Sequence, residues 1–331
     1  MDVFYDILAA QEAIKKIVTA RSTGKASTMQ LAKYADALPD NISTITTDIP
    51  MALRLIERRE TGEDYEEIVF RVQGALSFTQ LPPIRSKTTL PDKGDARYMK
   101  QSVRLTGLGD KQFHGAIDGL VNIATFMGQN LERGEVEGWA PARFRCWEAI
   151  EASNRYFVHQ NSEGDMVSVP LSAGVDPDGV LATIAGEEWV HTEDNTVSYY
   201  RASTDGEGKQ KYETIKPGEF RLGDLVEAQI SAIAVKRRVR GDVYSMKLVL
   251  RALTMLDDGY SRAARTNRMK QAARKPTSSV IVMKRSVGYL EDEGDRDEVP
   301  TNKMKRLSVN EAGASTGDHQ VMMEDSHWKS S

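Results

Sequence analysis

A chain of 331 residues with 40% hydrophobic and 28% charged residues has a globular composition, with room for one large domain or two ordinary ones. Its single cysteine, Cys146, excludes an internal disulfide framework and any cysteine-only metal cluster within the chain. The net charge of -4 conceals a strong asymmetry, because residues 236–285 hold 14 Lys/Arg against 3 Asp/Glu and leave 30 against 45 elsewhere.

In chain order, Phe4, Ile7, Leu8, Ile14, Ile17 and Val18 recur at helical spacing, which predicts an amphipathic helix over residues 3–20. The start "MDVFYDILAAQEAIKK" has neither the basic region nor the apolar run of a secretory signal. No stretch reaches the ~18 apolar residues of a membrane span, so a soluble intracellular protein is the expectation. Residues 28–38 and 48–60 read as two more helices, the second with Pro50 in its first turn and Gly62 beyond its end. Residues 1–80 thus form a predicted helical region, within which "EEIVFRVQGALSFTQL" is open between helix and strand.

Residues 81–150 read as linker and helices. "LPPIRSKTTLPDKGD" has loop chemistry, a helix is predicted from Gln112 to Leu131 with Gly134 closing it, and "FRCWEAIEASNRYFV" suggests another helix running into a strand. From residue 151 to 262 the pattern turns to an antiparallel β domain. "RYFVHQ", "DMVSVPL" and "NTVSYYRAS" read as strands, interrupted by a turn at Asp176–Gly179, a short helix and a stop at Gly186. Residues 263–331 are polar and charged, include the acidic block "EDEGDRDE", and read as a mostly disordered tail.

The most informative stretch is "GDLVEAQISAIAVKRRVRGDVYSMKLVLRALTMLD", residues 223–257. With a loop over Lys236–Asp242, the opposed residues sum to 478. One face then pairs Val226 with Ala252, Ala228 with Leu250, Ile230 with Leu248, Ala232 with Met246 and Ala234 with Tyr244. The other face sets Glu227 opposite Arg251 as a favourable cross-strand ion pair. Long paired strands with a few neighbours suit a five-stranded OB-like barrel or a simple sandwich. The fold class is therefore α+β, a helical N-terminal region followed by a β-rich antiparallel domain.

Four of the five residues Lys236–Arg240 are cationic: Lys236, Arg237, Arg238 and Arg240. At a hairpin tip they suit phosphate contacts, aided by Lys247 and by the arm residues Arg262, Arg265, Arg268 and Lys270. Tyr199 and Tyr200 lie on a predicted strand, where alternation sends one ring into the core and exposes the other for stacking a base. A solvated loop that protects a sheet edge, or a nuclear-localisation patch, explains the same cations. His191-x-Glu193 begins a zinc-deaminase pattern whose cysteines are missing, so Asp194 or Asn195 is read as closing a turn. Asp176 and Asp178 lack the distal Glu of a calcium loop, and Gly107-Leu-Gly109 lacks the rest of a phosphate loop. No metal, cofactor or catalytic constellation is predicted.

Over about residues 155–265, "GVDPDGVLATIAGEEWVHTEDNTVSYY" and "FRLGDLVEAQISAIAVKRRVRGDVYSMKLVLRALTMLDDGYSRAA" resemble a group of uncharacterised proteins recurring in mushroom-forming (basidiomycete) fungi. That resemblance implies no activity. A looser likeness to single-strand-binding OB domains rests on Gly223, Asp224 and Val226 and on Leu248, Leu250, Ala252 and Leu253. It implies a non-enzymatic protein that binds single-stranded nucleic acid. The alternative is a scaffold that self-assembles into a homo-oligomer through its charged arm.

Overall fold

The computed structural model describes residues 1–23, 25–48, 51–58, 65–85, 95–160, 166–206, 209–237 and 241–274. Helix α1 (Ile7–Arg21) starts where the Asp6 carboxylate accepts a hydrogen bond from the Ala9 amide at 3.0 Å. It buries Ala10, Ile14 and Val18. The spacing of residues 28–38 does not produce a full helix but short 3-10 segments at Lys25–Met29 and Leu31–Tyr34.

The predicted helix over 48–60 is a correction. Residues Ile42–Asp48 and Met51–Glu57 are strands β1 and β2, paired antiparallel as a hairpin. Ala52, Leu53, Leu55 and Ile56 are all buried. The doublets that imitate helical spacing thus belong to a strand covered on both faces, where the period-2 signal disappears. The ambiguous segment resolves as strand as well, with β3 (Glu66–Glu67) pairing β2 and β4 (Phe70–Gln80) joining the main sheet.

After β5 (Lys100–Thr106), helix α2 (Lys111–Gln129) matches the predicted helix, and Asp110 caps it by accepting from the amides of Gln112 and Phe113. Gly119 is required by packing, since a Cβ there would lie 2.5 Å from the Leu31 carbonyl. Residues 142–155 form a hairpin and no helix. Strands β7 (Ala142–Phe144) and β8 (Trp147–Arg155) meet through Arg145, which adopts a left-handed conformation, and Cys146. Strand β9 (Val158–His159) pairs β10 (Trp189–Val190), but "DMVSVPL" contributes no strand among its described residues. Asp176 accepts hydrogen bonds from the Leu181 and Ala182 amides and so initiates α3 (Val180–Ala185), which Gly186 ends as expected.

The quoted hairpin forms β13 (Leu225–Lys236) and β14 (Val243–Asp257), the spine of a twelve-stranded sheet. With β11 (Ser198–Thr204), β12 (Gln210–Thr214) and β6 (Glu135–Glu137), the main strand order is β12-β11-β14-β13-β4-β5-β8-β7. Pairing is mostly antiparallel, with parallel contacts of β14 to β11 and β6. The outer edge of β13 is covered by β4 near its base and by β2 near its tip. The class is α+β with a large antiparallel-rich sheet, and among the described residues the strand pairings do not close it into a barrel.

The hairpin register differs from the sequence-derived one. Opposed residues sum to 480 from Ile230–Leu250 to Lys236–Tyr244, and to 481 from Val226–Met255 to Gln229–Ala252, with irregularities at Leu225/Val226 and Gln229/Ile230. A two-residue shift preserves the apolar face, so Ala232 meets Leu248 and Ala234 meets Met246. The second offset leaves Arg251 as the extra residue of a bulge, where pattern reading could not place it.

Residues 263–274 are not disordered tail. They belong to α4 (Gly259–Arg274), which packs Ala264 and Tyr260 into the small core formed by α1, Leu108 and Leu225. All described residues fall within one unit, Met1–Pro276, and strands from before residue 80 and after residue 150 belong to the same sheet. Residues 275–331, including "EDEGDRDE", lie outside the described residues. No described helix is long and apolar enough to cross a membrane.

Candidate nucleic-acid interface and charge networks

Helix α4 carries Arg262, Arg265, Arg268, Lys270 and Arg274 and no acid. Arg262 is tied to Asp258 and Arg268 to Asp2, both at the surface. Arg265 and Lys270 are exposed and have no ion partner among the described residues. A helix polar around its circumference gains little from packing, so these cations are available to an external polyanion.

The hairpin tip is different. Lys236 is paired with Asp242, and Arg237 forms a two-oxygen ion pair with Glu137 at 2.9 and 2.8 Å. Glu137 reaches the tip because β6 docks beside β14. Its approach requires Gly134 in a left-handed conformation (φ +100°), where a Cβ would lie 2.1 Å from the Asp242 carbonyl. Arg238 and Arg240 lie outside the described residues. Lys247 is exposed on β14, opposite Ile233, with no described ion partner.

The tip and α4 are not neighbours. They stand at opposite ends of the 15-residue β14, a strand path of roughly 45 Å. Continuity in sequence therefore does not give one basic patch in space.

Tyr199 is no stacking platform, because it is 4% exposed, its hydroxyl donates to Gln101 Oε1, and burial lifts its pKa far above the usual phenol range. Tyr200 is half-buried between β12 and β14, so the expected exposed partner ring is partly covered. The turn reading of residues 191–195 holds: Asn195 Oδ1 accepts from the Thr192 amide and hydroxyl at 3.1 and 2.9 Å. His191 Nδ1 stands 2.7 Å from the Tyr156 carbonyl, which fixes the proton on that nitrogen. Among the described residues no group of three His, Cys, Asp or Glu could hold a metal ion.

The predicted Glu227–Arg251 pair does not form, and each residue belongs to a different network. Arg251 and Arg54 form a closed ring with Glu67 and Asp194. Arg54 bonds Glu67 at 2.9 Å and Asp194 at 2.5 Å, while Arg251 bonds the same two acids at 2.6 and 3.2 Å. Burial pushes the Asp194 carboxyl up, but the hydrogen bonds and charges of Arg54, with those of Arg251, outweigh it and hold the group below its ordinary value. The ring fastens β2, β3, β14 and the 193–195 turn together.

Glu227, with its side chain 1% exposed, accepts from Gln73 Nε2 at 2.8 Å. Arg21 Nε lies 3.3 Å and Arg71 Nη1 3.6 Å from its carboxylate. Sequence reasoning missed this cluster, although a lone acid in an otherwise apolar strand is itself a signal that a buried counter-charge must exist. No family model and no curated protein matches the chain.

Proposed function

We propose that the protein binds nucleic acid non-enzymatically, through phosphate contacts centred on α4. The observation that carries this is a sixteen-residue helix with five cations and no acid, on which Arg265 and Lys270 are exposed and without an ion partner among the described residues. The tip cations play the lesser part, because Asp242 and Glu137 neutralise the two that are described. Exposed pairs of that kind hold only ~0.2–1 kcal/mol, so a phosphate could still displace the acids. The reading rests on charge and needs no OB-like barrel. The single-strand preference expected from stacking is not part of it, since the Tyr199 ring is buried.

The test is fluorescence anisotropy with labelled single-stranded and duplex oligonucleotides over a range of salt. Arg265→Glu with Lys270→Glu should weaken binding to both and flatten the dependence of log K on log salt by about 1.4–1.8 units for two lost contacts. Absence of binding at low salt, or binding indifferent to the double reversal, overturns the proposal. Circular dichroism of the variant checks that α4 is retained.

A further inference from the structure

Four buried side-chain nitrogens and oxygens have no hydrogen-bond partner among the described residues: Arg21 Nη2, Gln30 Nε2, Arg71 Nε and Glu227 Oε1. They are not scattered. Gln30 and Arg71 both line a cavity of about 320 Å³ between the end of α1, the Leu31–Tyr34 turn, β4 and the start of α2. Arg21 and Glu227 form the ion-paired layer beside Arg71. Such groups are rarely left unmet in a native interior, and a cluster of them on one cavity asks what satisfies them.

The inventory is lopsided. Three of the four unmet atoms are N–H donors and one is an acceptor. Arg21, Arg71 and the rim cation Lys33 oppose one acid, Glu227. Gln30, only 4% exposed, has no partner for its Nε2 among the described residues. Val18, Val72, Phe113 and Ala116 give the wall an apolar stretch, beside the polar Ser22, Gln73 and Gln112. A few convergent polar groups on an apolar concavity of this size is the composition of a small-molecule site.

We infer that this cavity binds a small organic anion. Its carboxylate or phosphate accepts from Gln30 Nε2 and Arg71 Nε, and its apolar body lies against Val18, Val72 and Phe113. Glu227 is a positioning residue: with Gln73 donating to it, the carboxylate holds Arg71 at the cavity and Arg21 behind it. The site is separate from α4, so neither reading depends on the other.

The experiment uses the full chain and thermal melting at constant ionic strength, with benzoate, phenyl phosphate, acetate, inorganic phosphate and benzyl alcohol as probes. Benzoate or phenyl phosphate should raise the melting temperature saturably and beyond acetate, inorganic phosphate and the neutral alcohol. Which of the two is stronger identifies carboxylate or phosphate as the preferred head. Gln30→Leu removes an unmet amide, so it should melt no lower than wild type without ligand, yet lose about ten-fold or more in affinity. Arg71→Lys keeps the charge beside Glu227, removes the Nε donor, and should lose affinity likewise. The Arg265→Glu/Lys270→Glu protein should keep the full shift. Aromatic anions no better than acetate, inorganic phosphate or benzyl alcohol, or equal shifts in wild type and both cavity variants, would overturn the assignment and leave the cavity as a hydrated cleft.

Discussion

Replacing Glu227 by Gln is the sharpest probe of what holds the centre of the sheet. The substitution keeps shape and the neighbouring Gln73 contact but removes the negative charge between Arg21 and Arg71, whose side chains are only 11% and 20% exposed. Breaking a buried ion pair by removing one partner costs ~3–5 kcal/mol, because the remaining charge is stranded. The 3.6 Å separation of Arg71 is too long for a hydrogen bond, and Arg21 also donates to the Tyr212 hydroxyl at 2.8 Å. The low end, about 3 kcal/mol, therefore applies. For a unit of this size that corresponds to a fall of roughly 6–12 °C in melting temperature. Urea and thermal unfolding followed by circular dichroism at neutral pH would measure both. The triple replacement of Glu227, Arg21 and Arg71 by Met removes all three charges together and should recover most of the loss. A Glu227→Gln protein within about 0.5 kcal/mol of wild type would refute the reasoning, because the arginines would then have to be solvated. A triple variant less stable than the single one would refute it equally.

The Asp194 ring gives a pH signature. Its folded pKa is depressed, so its contribution is present above the unfolded value of about 3.9 and lost as pH falls through the folded one; Asp194→Asn should therefore destabilise at pH 7 and converge with wild type in acid, as read by urea midpoints across pH. Tyr199→Phe leaves Gln101 Oε1 without its buried donor and should cost ~1–3 kcal/mol while anisotropy shows nucleic-acid affinity unchanged, since the ring never meets a base. Gly134→Ala sets a Cβ against the Asp242 carbonyl at a left-handed φ; a loss of about 1–3 kcal/mol in unfolding experiments is expected, with faster amide exchange in β6.

Legibility followed the physics of each signal. Helix α2 was readable because one face alone is buried, so its apolar residues recur at helical spacing, although it ends at Gln129 with Asn130 as its cap, short of Gly134. The α3 turn was readable because Asp176, Gly179 and Gly186 act locally. Strand β2 was not, since burial on both faces erases alternation, and its second partner β13 lies far away in sequence. The β7–β8 hairpin hid because a non-glycine residue, Arg145, supplies the left-handed turn. Helix α4 was taken for tail because its apolar content is small; Ala264 and Tyr260 are what anchor it.

The site shows the same division between local and long-range information. Sequence identified the cations and the hairpin that spaces them, but the spacing itself decides their use. Fifteen residues of β14 carry the chain from a tip balanced by Asp242 and Glu137 to a helix that no acid interrupts. A one-residue bulge then diverts Arg251 from Glu227 to Glu67 and Asp194, freeing Glu227 to gather Arg21 and Arg71. This bulge leaves little pattern signal, because the one-residue change of phase falls beside Ala252, Leu253, Thr254 and Met255, which are all buried whichever face they take. Yet this one sets which arginine closes a structural ring and which borders a cavity, so deleting Arg251 should realign the strands and disturb both networks at once. If only the Asp194 ring were lost on that deletion, with anion-induced stabilisation intact, the bulge would be a local accommodation and the two networks would be independent.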